Sequence, residues 1–207
     1  MSTPPVSFLA LGDSYTIGEG VVYEERWPVQ LVRRLSEQGF PVSDPNIIAK
    51  TGWTTAELQE GIDKHNPGTN FELVSLLIGV NNQYRGLASE AYRGEFRSLL
   101  QQAVGFGSGD ASRVFVVSIP DWSVTPFAEG RNRVAIAKEV DLFNEINKSE
   151  TDNAGVAYVN ITPLSRTQGA MVVDDGLHPN AEVYRAWVDL ICPVVKKMVA
   201  SRRNSLN

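Results

Sequence analysis

Two histidines, His65 and His178, limit where this chain can do base-assisted chemistry. Hydroxyl nucleophiles are weak until a base takes their proton, and histidine is the usual base. His65 lies in Asp63-Lys64-His65-Asn66-Pro67-Gly68, a polar helix end where an imidazole complements the helix dipole. His178 follows Asp175 by three residues in Asp175-Gly176-Leu177-His178-Pro179. On one turn, that spacing lets the carboxylate reach Nδ1 and hold the tautomer that leaves Nε2 free as a base. Gly176 permits a tight backbone, and Pro179 suits the first position of a following helix. The same segment reads equally well as an Asx turn capping that helix, with a surface histidine. Asp174 is a second carboxylate, less well spaced. Ser14, in Gly12-Asp13-Ser14-Tyr15, closes an apolar run, where its side chain would point into a cleft. Taken alone, such a serine reads first as a cap or turn residue.

The positions of these residues depend on the elements around them. Val6 to Leu11 is a short apolar run that reads as a buried strand. Asn46 to Ala49, Phe71 to Ile78, Val114 to Val117 and Val156 to Ile161 read likewise. Between them, Trp27, Leu31, Val32 and Leu35 recur at helical spacing, with Pro28 near the start. Thr54-Thr55-Ala56-Glu57 is a capping box opening a helix to about Lys64. Tyr92, Phe96, Leu99, Leu100 and Ala103 mark a helix over Ser89 to Val104, and Ile136, Val140 and Phe143 mark the next. The last helix carries Val183, Trp187, Leu190, Ile191, Val194 and Met198 on one stripe, and Pro193 inside it should kink or break it. Five strands alternating with helices predict one α/β domain over residues 1–207. Its expected form is a three-layer, flavodoxin-like parallel sheet of order 2-1-3-4-5 with helices on both faces. In such sheets the active groups gather beyond the carboxyl ends of the strands. Ser14, Gly52, Asn81 and His178 follow strands one, two, three and five, so all four should meet at one edge.

In that order, the four blocks resemble those of the GDSL family, also called SGNH hydrolases. Gly12-Asp13-Ser14-Tyr15 is similar to the family's opening motif, with Tyr15 where Leu is common. Gly52 stands in Lys50-Thr51-Gly52-Trp53, Gly79-Val80-Asn81-Asn82 is similar to the family's Gly-x-Asn-Asp, and Asp175-Gly176-Leu177-His178 is the last block. The resemblance implies a serine ester hydrolase working through an acyl-enzyme, with Ser14 as nucleophile, His178 as base and Asp175 as its orienting acid. It implies an oxyanion hole made of the Ser14 and Gly52 N–H groups and the Asn81 side chain. Asn82 departs from the family's Asp, a residue thought to support the loop.

Tyr15, Trp53, Asn82 and Trp122 are the residues expected near substrate, with Phe127 beside them, although aromatics on such loops also serve to pack them. Arg131 and Arg133 could receive an acidic substrate but read better as solvated surface. With ~200 residues there is little room for a lid, so a shallow cleft is expected, which favours short acyl or acetyl esters and leaves lysophospholipids and thioesters as alternatives. Two other readings keep the fold. One is a flavodoxin-like module that binds a nucleotide without catalysis, and the other an acyltransferase using the same triad.

Composition narrows the partners. A net charge of -5 argues against nucleic acid, and 43% hydrophobic with 21% charged residues is ordinary for a globular chain. No apolar run approaches the ~18 residues of a membrane span. Met1-Ser2-Thr3-Pro4-Pro5 lacks a basic start and Val6 to Leu11 is too short for a signal sequence, so a cytoplasmic location is expected. One cysteine and two histidines make a zinc site unexpected, and no cofactor is implied. The absence of a G-x-S-x-G elbow separates the chain from α/β-hydrolases. Gly18-Glu19-Gly20 has no following Gly-Lys-Ser/Thr, so it is no P-loop.

Overall fold

The computed structural model describes residues 4–205, with side chains described to residue 201. Met1, Ser2 and Thr3, which entered the reading of the N-terminus, lie outside the described residues. Five strands form one parallel sheet: β1 (Phe8–Gly12), β2 (Asn46–Ala49), β3 (Leu73–Leu77), β4 (Val114–Val117) and β5 (Ala157–Val159). The order is β2-β1-β3-β4-β5, as predicted. Central β1 pairs with β2 from Leu9 opposite Asn46 to Gly12 opposite Ala49, and with β3 from Phe8 opposite Leu73 to Gly12 opposite Leu77. β1, β3 and β4 are buried along their whole length, so they read as continuous apolar runs rather than alternating ones.

The principal helices are α2 (Trp27–Glu37), α3 (Thr55–His65), α5 (Ser89–Phe106), α6 (Arg133–Asn153) and α8 (Ala181–Ser205). Helix α2 packs on α8, while α3 packs on α5 and α5 on α6, giving a layer on each face of the sheet. Trp27, Leu31 and Leu35 of α2 and Trp187, Ile191 and Val195 of α8 are fully buried between helix and sheet. Thr54 caps α3 with the full box: its hydroxyl accepts from the Glu57 N–H, and the Glu57 carboxylate accepts from the Thr54 N–H. Among the described residues, no helix is long and apolar enough to cross a membrane.

Three expectations are corrected. Helix α8 runs through Pro193 without a break. Its buried stripe on both sides of the proline, from Trp187 and Val188 to Val195 and Val199, holds it against the body, offsetting one lost backbone bond. Leu190 does not belong to that stripe and is 42% exposed. The first strand is shorter than the apolar run suggests. Val6 forms only an isolated bridge to Val42, while Ser7 and Glu72 bond side chain to backbone in both directions.

Single-turn helices at three strand ends were not anticipated: α1 (Ser14–Ile17) after β1, α4 (Val80–Tyr84) after β3 and α7 (Thr162–Thr167) after β5. A turn of this length shows no period in sequence. The first two start at Ser14 and just before Asn81.

Candidate active site

Ser14 is placed by its two predecessors. A Cβ on Gly12 would meet the Thr16 hydroxyl at 2.2 Å and the Leu77 carbonyl at 2.5 Å, so only glycine lets the chain turn from β1 into α1. Asp13 is the N-cap, its Oδ1 accepting from the Tyr15 N–H at 3.0 Å. The cap is therefore Asp13, and Ser14 is left as the first helical residue, 3% exposed and facing a cavity. As the first residue of the helix, its N–H has no carbonyl partner within α1.

The cap carries a cost. Asp13 Oδ2 is buried without a hydrogen-bond partner among the described residues. Burial pushes the carboxyl from the ordinary 3.8 up to about 7, against the lowering effect of the Tyr15 N–H. The folded form thus holds this proton more tightly than the unfolded chain does. Stability from the neutral acid is complete below pH 3.8 and is lost as the pH rises through about 7. Asp13→Asn keeps a capping oxygen and cannot ionise. Its melting temperature should match the parent's near pH 4 and exceed it at pH 8, by ~2–4 °C per kcal/mol of ionisation cost. A gap that is constant from pH 4 to pH 8 would show that Asp13 does not titrate in the fold.

His178 sits in a closed loop. Val173 N–H donates to its carbonyl at 2.9 Å, and Asn180 N–H donates to the Met171 carbonyl at 3.1 Å. Asp175 has two separate tasks there. Its Oδ1 accepts from the Leu177 and His178 N–H groups at 2.8 and 2.9 Å, while its Oδ2 lies 2.5 Å from His178 Nδ1. The Asx turn and the carboxylate–imidazole pair, competing readings of the sequence, are thus the same structure. Gly176 has φ 71, the left-handed conformation the turn requires. Burial alone would raise the Asp175 carboxyl, but the bonds from the His178 ring and the two N–H groups outweigh it and hold it below the ordinary value. A carboxylate there receives Nδ1–H and leaves Nε2 as the open nitrogen. His178 is buried, not at the surface, and the Tyr15 ring lies 5.2 Å from its centroid. Ala181, not Pro179, is the first residue of α8, and Asn180 caps it, its side chain accepting from the Glu182 and Val183 N–H groups. Asp174 is exposed and outside the His178 contact. His65 closes α3, its Nδ1 donating to the Gly61 carbonyl at 2.7 Å.

The loop from Lys50 to Thr55 is pinned at nearly every residue. Gly52 has φ 84, and a Cβ there would meet only Arg85 Nη2 at 3.9 Å, so glycine serves the backbone conformation and leaves the approach open. Arg85 donates to the Gly52 carbonyl at 2.6 Å and pairs with Glu57. The Thr51 hydroxyl bonds Glu19. Asn81 Nδ2 donates to the Trp53 carbonyl at 3.0 Å, which fixes the amide's orientation and leaves its second N–H for a ligand.

Two expected substrate contacts lie elsewhere. The Trp53 ring is turned onto α3, so close that a Cβ on Gly61 would strike it at 2.2 Å, and only the Trp53 carbonyl reaches toward Asn81. Asn82 is buried: its Oδ1 accepts from the Thr55 N–H at 3.0 Å and its Nδ2 donates to the Thr55 hydroxyl at 2.7 Å. That hydroxyl gives its own proton to Glu95. A carboxylate at position 82 would compete with Glu95 for one proton, so the amide matches its partners here.

The cavity holds about 150 Å³. Ser14, Gly52, Asn81 and His178 line it together with Tyr15 and the rings of Tyr84, Trp122 and Phe127. Trp122 is set by its Nε1–H bond to Gln83 Oε1 at 2.7 Å. Tyr84, at the end of α4, was missed by sequence reasoning because so short a helix shows no period that tells which way its side chains face. Among the described residues, no cluster of three or more His, Cys, Asp or Glu side chains could hold a metal ion.

Comparisons with known proteins agree with this architecture. Residues 10–186 match the GDSL-like lipase/acylhydrolase family. Among solved structures, TesA superposes with a TM-score of 0.73 at 19% identity, covering 93% of this chain and 99% of its own. A phospholipase A1 from Streptomyces albidoflavus gives 0.68 at 18% identity, covering 94% and 100%. A mutant of Axe2, an acetyl-xylooligosaccharide esterase from Geobacillus Stearmophilus, gives 0.69 at 15% identity, covering 96% of each chain. No curated protein matches the sequence.

Proposed function

Because the chain belongs to the GDSL-like lipase/acylhydrolase family, we propose that it hydrolyses short-chain acyl or acetyl esters through an acyl-enzyme on Ser14. The observation that carries this reading is convergence. Ser14, Gly52 and Asn81, just beyond β1, β2 and β3, and His178, from the loop between α7 and α8, line one cavity, and Asp175 holds the ring of that histidine.

In this reading Ser14 Oγ attacks the ester carbonyl while its proton passes to His178 Nε2. The carbonyl oxygen becomes an oxyanion and takes hydrogen bonds from the Ser14 N–H, the Gly52 N–H and the free N–H of Asn81 Nδ2. Collapse breaks the bond to the alcohol oxygen, which leaves with the proton from His178. Water then gives its proton to His178 and attacks the acyl-serine, and the acid departs as Ser14 regains its hydrogen. The donors are held beforehand by Arg85 and the Trp53 carbonyl, so little reorganisation accompanies charge development. A cavity of about 150 Å³ is below the ~300–1,000 Å³ of sites for drug-sized ligands, which favours a short acyl group.

The test is a panel of chromogenic acyl esters of rising chain length, beside labelling with a fluorophosphonate. Rates should peak among the shortest chains and fall once the chain outgrows the cavity, and the label should attach to Ser14. No turnover and no label would remove the reading. Asn81→Ala tests the oxyanion hole separately. An interaction that strengthens only as charge develops affects kcat, so a loss of ~10²–10³ in kcat with KM nearly unchanged is expected. A change confined to KM would make Asn81 a ground-state contact.

A further inference from the structure

The reaction above makes no use of Arg131, a cation that stands over three of the rings lining the cavity. Arg131 lies in the loop between β4 and α6, exposed, just after Gly130 with its φ of 75. Its guanidinium carbon stands 4.9 Å from the Phe127 ring centroid, 5.4 Å from Tyr84 and 5.5 Å from Trp122. These rings also stand against one another, with Tyr84–Trp122 centroids 5.5 Å apart and Trp122–Phe127 centroids 6.0 Å apart. All three line the cavity that holds Ser14 and His178. A guanidinium so seated is attracted by the ring quadrupoles, and its N–H donors remain for a planar anion.

Other arginines here are spoken for. Arg85 pairs with Glu57, Arg93 and Arg97 pair with Glu150, Arg166 pairs with Asp121 and Asp141, and Arg133 donates to the Thr125 carbonyl. Among the described residues, no carboxylate lies within ion-pair distance of Arg131, and its side chain has no hydrogen-bond acceptor. In a chain of net charge -5, anions are repelled at long range, so an acidic ligand needs such a local anchor.

We propose that Arg131 is an anion-binding, specificity-determining residue at the cavity mouth, and that the preferred esters carry a carboxylate or phosphate beside the scissile bond. This rests on the ester-hydrolase reading of the same cavity. The three rings restrict the guanidinium, so little side-chain freedom remains to be lost when the anion arrives. Charge-assisted N–H···O bonds to a carboxylate or phosphate then hold the substrate while Ser14 reacts.

Two matched ester pairs test it at low salt. Mono-4-nitrophenyl succinate against 4-nitrophenyl butyrate places a carboxylate on the acyl side. 1-Butyrylglycerol 3-phosphate against 1-butyrylglycerol places a phosphate on the alcohol side. The parent should favour the anionic member of at least one pair, and the pair that responds identifies the source of the charge. Arg131→Gln should lower the ratio of kcat/KM, anionic over neutral, by about tenfold for that pair. Arg131→Lys, which keeps the charge but not the planar fork, should fall between. Added salt should erode the ratio in the parent and not in Arg131→Gln. A ratio identical in parent and Arg131→Gln for both pairs would overturn the proposal. So would an equal loss on both members of each pair, which would make Arg131 a clamp on the rings. If no ester turns over, the hydrolase reading fails by itself, and calorimetric binding of monoethyl succinate and of glycerol 3-phosphate to Ser14→Ala protein still decides the anion site. Binding of either weakened by adding Arg131→Gln supports it, and binding of both unaffected or undetectable rejects it.

Discussion

Ser14→Ala is expected to abolish labelling by a fluorophosphonate and to lower ester turnover by ~10⁶ in kcat, the scale on which losing a triad serine acts elsewhere. The fold should survive. Ser14 is the first residue of α1 and the cap is Asp13, so the hydroxyl makes no helix-capping bond that alanine would remove. Alanine is also the best helix former. Unfolding by heat should therefore match the parent within about 1 °C per few tenths of a kcal/mol, an amount ordinary for such a change. A variant that still labels and still turns over would show that another nucleophile does the work. The cavity offers Thr51 and Tyr15 as the remaining hydroxyls in its lining besides Tyr84, and the Thr51 hydroxyl is already bonded to Glu19.

His178→Gln should cost as much as the loss of Ser14, while His65→Gln should leave turnover unchanged. The contrast follows from placement. His178 lines the cavity and has its Nδ1 held by Asp175, whereas His65 closes α3 and bonds a carbonyl of its own helix. The acid behaves differently from the base. In Asp175→Asn, the amide oxygen can still accept from the Leu177 and His178 N–H groups, so the turn remains. The amide nitrogen then faces Nδ1 as a donor, which favours the tautomer with its proton on Nε2, where a base is needed. A triad amide of this kind can cost ~10⁴. The expected loss for Asp175→Asn is thus severe but smaller than for His178→Gln, because the turn still orients the ring. Asp174→Asn, exposed and outside the contact, should have little effect. Single-turnover acylation measured for each variant ranks them directly. A loss at position 174 matching that of His178→Gln would move the acid role one residue.

Much of the architecture was legible in sequence because parallel strands buried on both faces announce themselves as short apolar runs. β2 and β4 fall where the sequence places them, and Thr54 to Glu57 form the box their spacing predicts. The alternation of these runs with helices, with right-handed crossovers, left few arrangements, of which the flavodoxin-like order was the one chosen and found. The Asp175–His178 pair was legible for a different reason. Both partners belong to one turn, so their geometry is a local property of five residues.

What the tertiary structure alone decided involves partners distant in sequence. The Asn81 amide is oriented by a carbonyl 28 residues away, and nothing near Trp53 indicates that its ring would pack on Gly61 while its carbonyl reaches that amide. Asn82 makes sense only once Glu95, on another helix, is seen to hold the Thr55 proton. The short turns α1 and α4 are fixed by the strand ends they follow, not by any period of their own. Arg131 illustrates the limit best. By itself it is one more charged residue after a glycine, indistinguishable from a solvated one. Tyr84 comes from α4, after β3, and Trp122 and Phe127 from the loop after β4. Only the packing of those two segments against each other builds the aromatic surface on which that cation rests.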